Sequence, residues 1–373
     1  RMEQLYITDV KIKKVRHLEN IQIPLAKDKR KHLIFTGKNG SGKTSVLERI
    51  ASAFYAFYTT NDLIDSSISI EMNKKIGEGE PFDKRVFIVA YYQANRIFET
   101  KLPKHVEKIE LRDYYEINER PRENFVKYLL DLKMTEALAA TGGKTEKAQK
   151  IKAWFANLEQ LLRKIFEDDT LHLCFDEDTF QFTICEKGKE PFDFNSLSSG
   201  YAAVLDIVVD LIIRMEKQTE KTFQFDIPGI VLIDEIETHL HLELQKKILE
   251  LLTTVFPNIQ FIVSTHSPFI LNSLDNVVIY DLENHLLVEH GLSNVPYSGI
   301  VEGYFGVDKM SVLLRKKYEQ YKELVQKTRL SDEDLAELAR LEMFLDEIPD
   351  YLALDIATEY KSLKLELENR EDY

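Results

Sequence analysis

The chain has 373 residues, 44% hydrophobic and 30% charged, with a formal net charge of −14. That length supports a sizeable core, as one large domain with an appendage or as two domains, and no apolar run reaches the roughly 20 residues that span a bilayer. Lys11, Lys13 and Lys14 stand where a secretory segment would be apolar, and the two cysteines, Cys174 and Cys185, lack metal-ligand spacing, so a cytoplasmic protein without a membrane partner is expected.

Leu5 to Val10, Ile21 to Leu25 and Leu33 to Thr36 read as strands, followed by a helix over Thr44 to Tyr58 with Leu47, Ile50, Phe54 and Phe57 on one face. Around the first strands lies a basic cluster, Lys11, Lys13, Lys14 and Arg16 with Lys27, Lys29, Arg30 and Lys31. It fits either a surface that tracks a phosphate backbone or a strand edge guarded by lysines. Arg85 to Tyr92 predicts a strand that delivers Gln93-Ala94-Asn95-Arg96 at its end. Pro121 to Phe166 reads helical, with a turn at Thr141-Gly142-Gly143. Leu171 to Phe175 and Phe180 to Ile184 alternate around Asp176-Glu177-Asp178 as a hairpin. A helix over Tyr201 to Met215 precedes two compact apolar runs, Ile230 to Ile233 and Phe261 to Val263, of the kind buried in a parallel sheet. Val277 to Tyr280 and Leu286 to Glu289 read as an edge pair.

Beyond Gly306 the pattern is helical. From Ser331 to Tyr373, fourteen Asp and Glu stand against four Lys and Arg. Ser331 and Asp334 make a capping-box pattern; Leu338, Leu341, Leu345 and Ile348 form one apolar stripe ending at Pro349, and Leu352, Ile356, Tyr360, Leu363 and Leu367 a second. These stripes must be buried, either within the chain, which is the expectation, or against a partner.

Three motifs carry chemistry. Gly37, Lys38, Asn39, Gly40, Ser41, Gly42, Lys43 and Thr44, with Ser45 behind them, form a glycine-rich loop between a strand and a helix. The glycines let backbone N–H groups converge on a polyphosphate, Lys43 supplies a cation for its terminal oxygens, and the Thr44 hydroxyl can ligate Mg²⁺. The run from Gly229 to His241 ends an apolar strand in two acids, placing Asp234 to hold the metal and Glu235 to polarise an attacking water. At Leu197-Ser198-Ser199-Gly200-Tyr201 a Ser-Gly turn opens a helix. It suits an ordinary helix cap and equally a grip on an anion by Ser198, Ser199 and Gly200. His239 and His241 enter a helix two residues apart, on different faces, which disfavours a shared metal.

The Ser-Gly turn resembles the signature of ABC-type ATPases. The order phosphate loop, Gln93, signature, Asp234-Glu235, then Ser264-Thr265-His266-Ser267-Pro268 is similar to that of an ABC ATPase head. This resemblance covers most of residues 4 to 290. It implies an α/β P-loop fold with a mixed sheet flanked by helices and an antiparallel β subdomain, over residues 1–305, with a helical insert at about 100–167 and an acidic helical extension over 306–373. It further implies that Gln93 and His266 sense the metal, the γ-phosphate and the water, that Glu237 to His241 is the D-loop, and that ATP is sandwiched between two copies facing head to head, as a homodimer or within a higher oligomer.

The phrases IETHLHLELQ, VSTHSPFIL and YYQANR resemble the SMC, RecF and OLD branch, especially stand-alone ATPases of bacterial phage-defence modules such as Septu PtuA and those of retron and PARIS systems. The expected function is therefore Mg²⁺-dependent ATP hydrolysis that gates or scaffolds a partner effector, a nuclease or toxin encoded nearby. The segment after Gly303 lacks the acidic set of an OLD-type nuclease domain, so a second protein is expected to do any cutting. The alternatives are a RecF-like or SMC-like clamp on DNA and a non-catalytic scaffold in which nucleotide is structural.

Overall fold

The computed structural model describes residues 4–75, 83–293, 312–346 and 354–370. The chain divides into two compact units, residues 1–293 and 294–373.

The first unit is organised by a six-stranded sheet in the order β11-β10-β3-β9-β8-β5. Its strands β3 (His32–Thr36), β5 (Ile88–Tyr92), β8 (Gly229–Ile233), β9 (Ile259–Ser264) and β10 (Val277–Asp281) run parallel, and β11 (Leu286–Val288) closes one edge antiparallel. Every residue of β3, β8, β9 and β10 is buried, which is why their sequences are mostly apolar on both faces rather than alternating. The expected strand from Arg85 starts later. Lys84–Val86 forms a 3₁₀ turn capped by Asp83, whose carboxylate accepts from the Arg85 amide.

A separate three-stranded antiparallel sheet holds β2 (Leu18–Pro24), β1 (Ile7–Val15) and β4 (Ile68–Met72). Of the three strands expected before the phosphate loop, only β3 joins the main sheet, and β4 was not foreseen. Because β1 lies between β2 and β4, its lysines do not guard an edge. Lys11, Lys13 and Lys14 lie on its exposed positions, and Lys14 pairs with Glu19 at 2.6 Å. Lys31 donates to the Glu289 carbonyl at 2.7 Å, and Arg30 reaches the Pro257 carbonyl. Part of the basic cluster is thus taken up in local structure.

Helix α1 (Lys43–Thr60) joins the two sheets. Leu47, Ile50, Phe54 and Phe57 share one core cluster with Val10 and Ile12 of β1 and with Phe35, Leu232 and Ile262 of the main sheet. The side chain of Gln260 adds a polar tie: its amide accepts from the Ile7 N–H at 2.7 Å and donates to the carbonyls of Ile7 at 3.0 Å and Lys31 at 2.7 Å. A buried primary amide here does the work of a strand pairing.

Helices α2 (Phe125–Thr141) and α3 (Thr145–Phe166) make the expected helical hairpin, turning at Gly142 and Gly143. Strands β6 (His172–Asp176) and β7 (Gln181–Cys185) follow, then α4 (Ser199–Thr219) and, after β8, α5 (Leu242–Val255). Residues 101–120, inside the expected helical insert, hold neither helix nor strand. They are ordered instead by Arg214 of α4, which donates to the carbonyls of Glu116 at 3.1 Å and Glu119 at 2.6 Å.

In the second unit, α7 (Val312–Val325), α8 (Asp332–Leu345) and α9 (Leu354–Glu368) follow α6 (Pro268–Leu271) of the first in chain order. The capping box forms: Asp334 N–H donates to Ser331 Oγ at 3.2 Å and Ser331 N–H to Asp334 Oδ2 at 2.9 Å. Leu338, Leu341 and Leu345 pack with Tyr360 and Leu367 and with Tyr318, Tyr321 and Val325, so these helices cover one another's stripes, as expected. Ile348, Pro349, Leu352 and the Ile356 side chain lie outside the described residues, as does the expected boundary after residue 305.

Glu216 of α4 is 1% exposed. The Tyr128 hydroxyl donates to its Oε1 at 2.9 Å, and Trp154 packs edge-on to Tyr128 at 5.9 Å. Burial pushes the Glu216 carboxyl from its ordinary 4.5 up to about 7, against the lowering effect of the Tyr128 hydrogen bond. The folded chain therefore keeps a proton that the unfolded chain releases above 4.5; this stabilisation is complete below that value and is lost as pH rises through about 7. Thermal melts from about pH 5 to about pH 8 should show the wild type losing on the order of 3 kcal/mol and Glu216→Gln losing less. Parallel pH profiles for the two proteins would contradict this assignment.

Candidate nucleotide-binding site

The phosphate loop leaves β3 at Gly37 and enters α1 at Lys43. Gly37 and Gly42 have φ of 135° and 102°, a region that side chains with a Cβ avoid. A Cβ on Gly37 would stand 2.7 Å from Ser41 Oγ, and one on Gly42 2.8 Å from Leu18 Cδ1, so both positions also lack room. The Lys43 side chain is buried, and its ammonium donates to the carbonyls of Gly37 at 2.7 Å and Lys38 at 3.1 Å. Burial holds its pKa below the usual lysine value, with Glu235, Glu237 and Asp234 acting in the opposite direction. Lys38, Asn39 and Gly40 form the exposed crest. Glu283, in the β10–β11 turn, braces that crest: it pairs with Lys38 Nζ at 2.7 Å and accepts from the Lys38 N–H at 3.2 Å.

Asp234 sits at the end of β8 and is 4% exposed. Its Oδ2 accepts from Thr44 Oγ1 at 2.7 Å, its Oδ1 accepts from Ser264 Oγ at the end of β9, and its N–H donates to the Tyr92 carbonyl at 2.8 Å. Three strand ends and the first turn of α1 thus meet at one residue, β5 through its N–H and β9 and α1 through its carboxylate. The next residue, Glu235, has φ of 43°, and its N–H donates to Ser264 Oγ at 2.7 Å. Its half-buried carboxylate lies 4.0 Å from His266 Nε2. Glu237 fixes the histidine from behind, accepting from the His266 N–H at 2.6 Å and from Thr265 Oγ1 at 2.7 Å. His266 Nε2 is buried without a hydrogen-bond partner. Burial, then the nearby Lys43 cation, lowers the His266 pKa below its ordinary 6.5, so the ring is neutral at pH 7.

Thr44 and Asp234 present hard oxygen donors side by side, a set suited to Mg²⁺. No group of three or more His, Cys, Asp or Glu that could hold a metal exists among the described residues. Gln93 follows Tyr92 at the end of β5, beside Asp234, with its side chain exposed.

Lys43, Thr44, Asp234, Glu235 and His266 are therefore assembled in one place, as their motifs imply. The signature residues are placed differently. Ser198 and Ser199 are exposed at the tip of α4, and Ser198 caps the helix without a side-chain hydrogen bond. Gly200 is buried, and a Cβ there would stand 3.0 Å from the His239 carbonyl. Among the described residues no hydrogen bond joins residues 198–200 to residues 37–45. The helix tip packs within its own chain instead: Tyr201 stacks on Phe166, the last residue of α3, at 4.2 Å and meets His241 edge-on at 6.1 Å. His241 Nδ1 accepts from the Leu244 N–H at 3.4 Å as the cap of α5, which accounts for this histidine without a metal.

Sequence reasoning overlooked Arg96, which is 3% exposed. Its Nη1 donates to the carbonyls of Gln93 at 2.9 Å and Asp234 at 2.8 Å, and its Nη2 to those of Glu235 at 3.1 Å and Ile236 at 3.0 Å. Its place directly after Gln93-Ala94-Asn95 was the available signal.

Residues 92–272 match the family described as "AAA domain, putative AbiEii toxin, Type IV TA system". The chain is 32% identical over 196 residues to the "Retron Ec83 probable ATPase" of Escherichia coli, covering 50% of this chain and 34% of that protein. It is 26% identical over 316 residues to "Septu protein PtuA" of Bacillus mycoides (strain KBAB4), covering 76% of this chain and 41% of that protein. The matched region thus spans well under half of either relative. Among solved structures, an SMC head domain from Thermotoga maritima aligns over 74% of this chain and 94% of its own, at 14% identity and a TM-score of 0.39. A nucleotide-free ATP-binding cassette from an ABC transporter aligns over 78% of this chain and 94% of its own, at 14% identity and a TM-score of 0.38. The chain is thus similar to this AAA-domain family over residues 92–272 and, more widely, to the retron and Septu proteins, on a P-loop fold whose phosphate loop is joined to Asp234.

Proposed function

We propose that this chain binds ATP with Mg²⁺, hydrolyses it, and closes on a second copy when ATP is bound. The observation that carries the reading is the joined Thr44–Asp234 pair, with the Glu235 carboxylate and an unpartnered His266 Nε2 facing each other at 4.0 Å. That is a place with a metal-binding side, a base and an uncommitted imidazole nitrogen.

In this reading Lys43 and the first amides of α1 bind the β- and γ-phosphates. Thr44 and Asp234, with Gln93 nearby, hold Mg²⁺, which when bound neutralises charge developing on the phosphate oxygens. Glu235 orients a water and accepts its proton, and neutral His266 hydrogen-bonds the γ-phosphate or that water through Nε2. Ser198 and Ser199, exposed at the α4 tip, are free to reach nucleotide held by the partner copy, with Gly200 allowing the helix its close seat on the D-loop. The retron and Septu names of the relatives support a role in phage defence, in which the nucleotide cycle gates or scaffolds an effector such as a nuclease or toxin.

Two substitutions test the core of this reading. Glu235→Gln should lower steady-state phosphate release by about 10²-fold or more and prolong an ATP-bound dimer seen by light scattering. Lys43→Ala should abolish ATP binding. Equal nucleotide affinity in both variants and the wild type would overturn the site assignment, and equal turnover in Glu235→Gln and the wild type would overturn the role of Glu235.

A further inference from the structure

The turn after β8 carries Asp234, Glu235 and Glu237 and belongs to no helix or strand; within it the Glu235 carbonyl accepts from the Thr238 N–H at 2.9 Å. Glu235 adopts φ of 43°, in the left-handed region that a glutamate does not choose unaided. Three successive carbonyls, those of Asp234, Glu235 and Ile236, converge on the guanidinium of Arg96. The fourth hydrogen bond runs to the Gln93 carbonyl. All four Nη hydrogens are spent on backbone and none on a carboxylate, although Asp206, Glu237, Asp234 and Glu235 all act electrostatically on the cation.

We infer that Arg96 is a positioning residue for the hydrolytic reaction. It holds the Glu235 turn in its left-handed form and locks that turn to the backbone at Gln93, so that base and sensor move as one piece. The inference rests on the ATPase reading above. Only a planar fork with paired donors can address carbonyls arranged this way; a lysine offers three donors from one point. Arg96 also lines a cavity of about 820 Å³ with Gln93, Asn95 and Asp206, which gives a small cation a route to this position.

The test uses the full chain as wild type, Arg96→Ala and Arg96→Lys. Both variants should lose about 10²-fold in kcat while their affinity for a fluorescent ATP analogue stays within about threefold of wild type. Millimolar guanidinium chloride should restore part of the turnover of Arg96→Ala, and equal ammonium chloride should not. In the nucleotide-free proteins, hydrogen exchange at the Glu235 and Ile236 amides should quicken in both variants. This arm needs no ATPase activity, so it separates failure of the inference from failure of the functional reading. Wild-type kcat in Arg96→Lys, or wild-type exchange at these amides in either variant, would overturn the proposal. Should Arg96→Ala not fold, Arg96→Lys decides by the same measurements.

Discussion

The structure depends most on the carboxylate of Asp234. One oxygen receives the Thr44 hydroxyl and the other the Ser264 hydroxyl, so the phosphate loop, the end of β8 and the end of β9 are held in register by one buried acid. Hydrogen bonds to a charged acceptor are the stronger kind, and a carboxylate buried here without its donors would be costly. Ser264 serves twice, donating to Asp234 and accepting from the Glu235 amide. The position of Glu235, the proposed base, therefore follows from the same contact that holds Asp234 beside Thr44. Glu237 holds the segment after β9 alongside, accepting from the His266 N–H and the Thr265 hydroxyl.

A second polar network lies behind the site and links β5 to α4. Asp210 of α4 is fully buried and accepts from the Tyr92 hydroxyl at 2.6 Å, from Arg214 Nε at 2.7 Å and from Arg122 Nη1 at 3.1 Å, while Arg122 also pairs with Asp206. Tyr92 is the last residue of β5 before Gln93. Buried charges of this kind contribute little net stability but are unforgiving of altered geometry. Helix α4 and the Gln93 loop are thereby joined through side chains as well as through the chain. Burial and the neighbouring Asp210 carboxylate push Asp206 up to about 6, against the opposing pull of Arg122 and Arg96.

Much of this was legible from sequence because the chemistry is local. The glycines and Lys43 of the phosphate loop, and an apolar run ending in Asp234 and Glu235, are short patterns in which residue type and spacing carry the function. The fully buried strands read well for the same reason, since both faces demand apolar side chains. Other features need partners far along the chain. Gln260 looks like an ordinary polar interruption until its amide meets Ile7 and Lys31, and Arg96 acquires a role only when the carbonyls of Asp234 to Ile236 fold around it. Strand β1 runs on past Val10 to Val15 because Lys11, Lys13 and Lys14 occupy solvent-facing positions that read as loop in one dimension. Asp206 and Asp210, within the helix expected over Tyr201 to Met215, carry no local mark of their role, and both are buried. The two signature serines show the converse: the motif was visible, but the chain alone leaves them exposed at a helix tip.

The central claim is that a complete site takes its phosphate loop from one copy and its Ser-Gly helix tip from another. The most direct test mixes two inactive chains, one carrying Lys43→Ala and the other Ser199→Arg, and measures phosphate release. A shared site predicts recovery to about a quarter of wild-type turnover, because half of the randomly paired dimers then contain one intact site. If the mixture stays at the sum of its two inactive components while each variant still folds and the Ser199→Arg chain still binds ATP, the two copies do not share a site and the account is wrong.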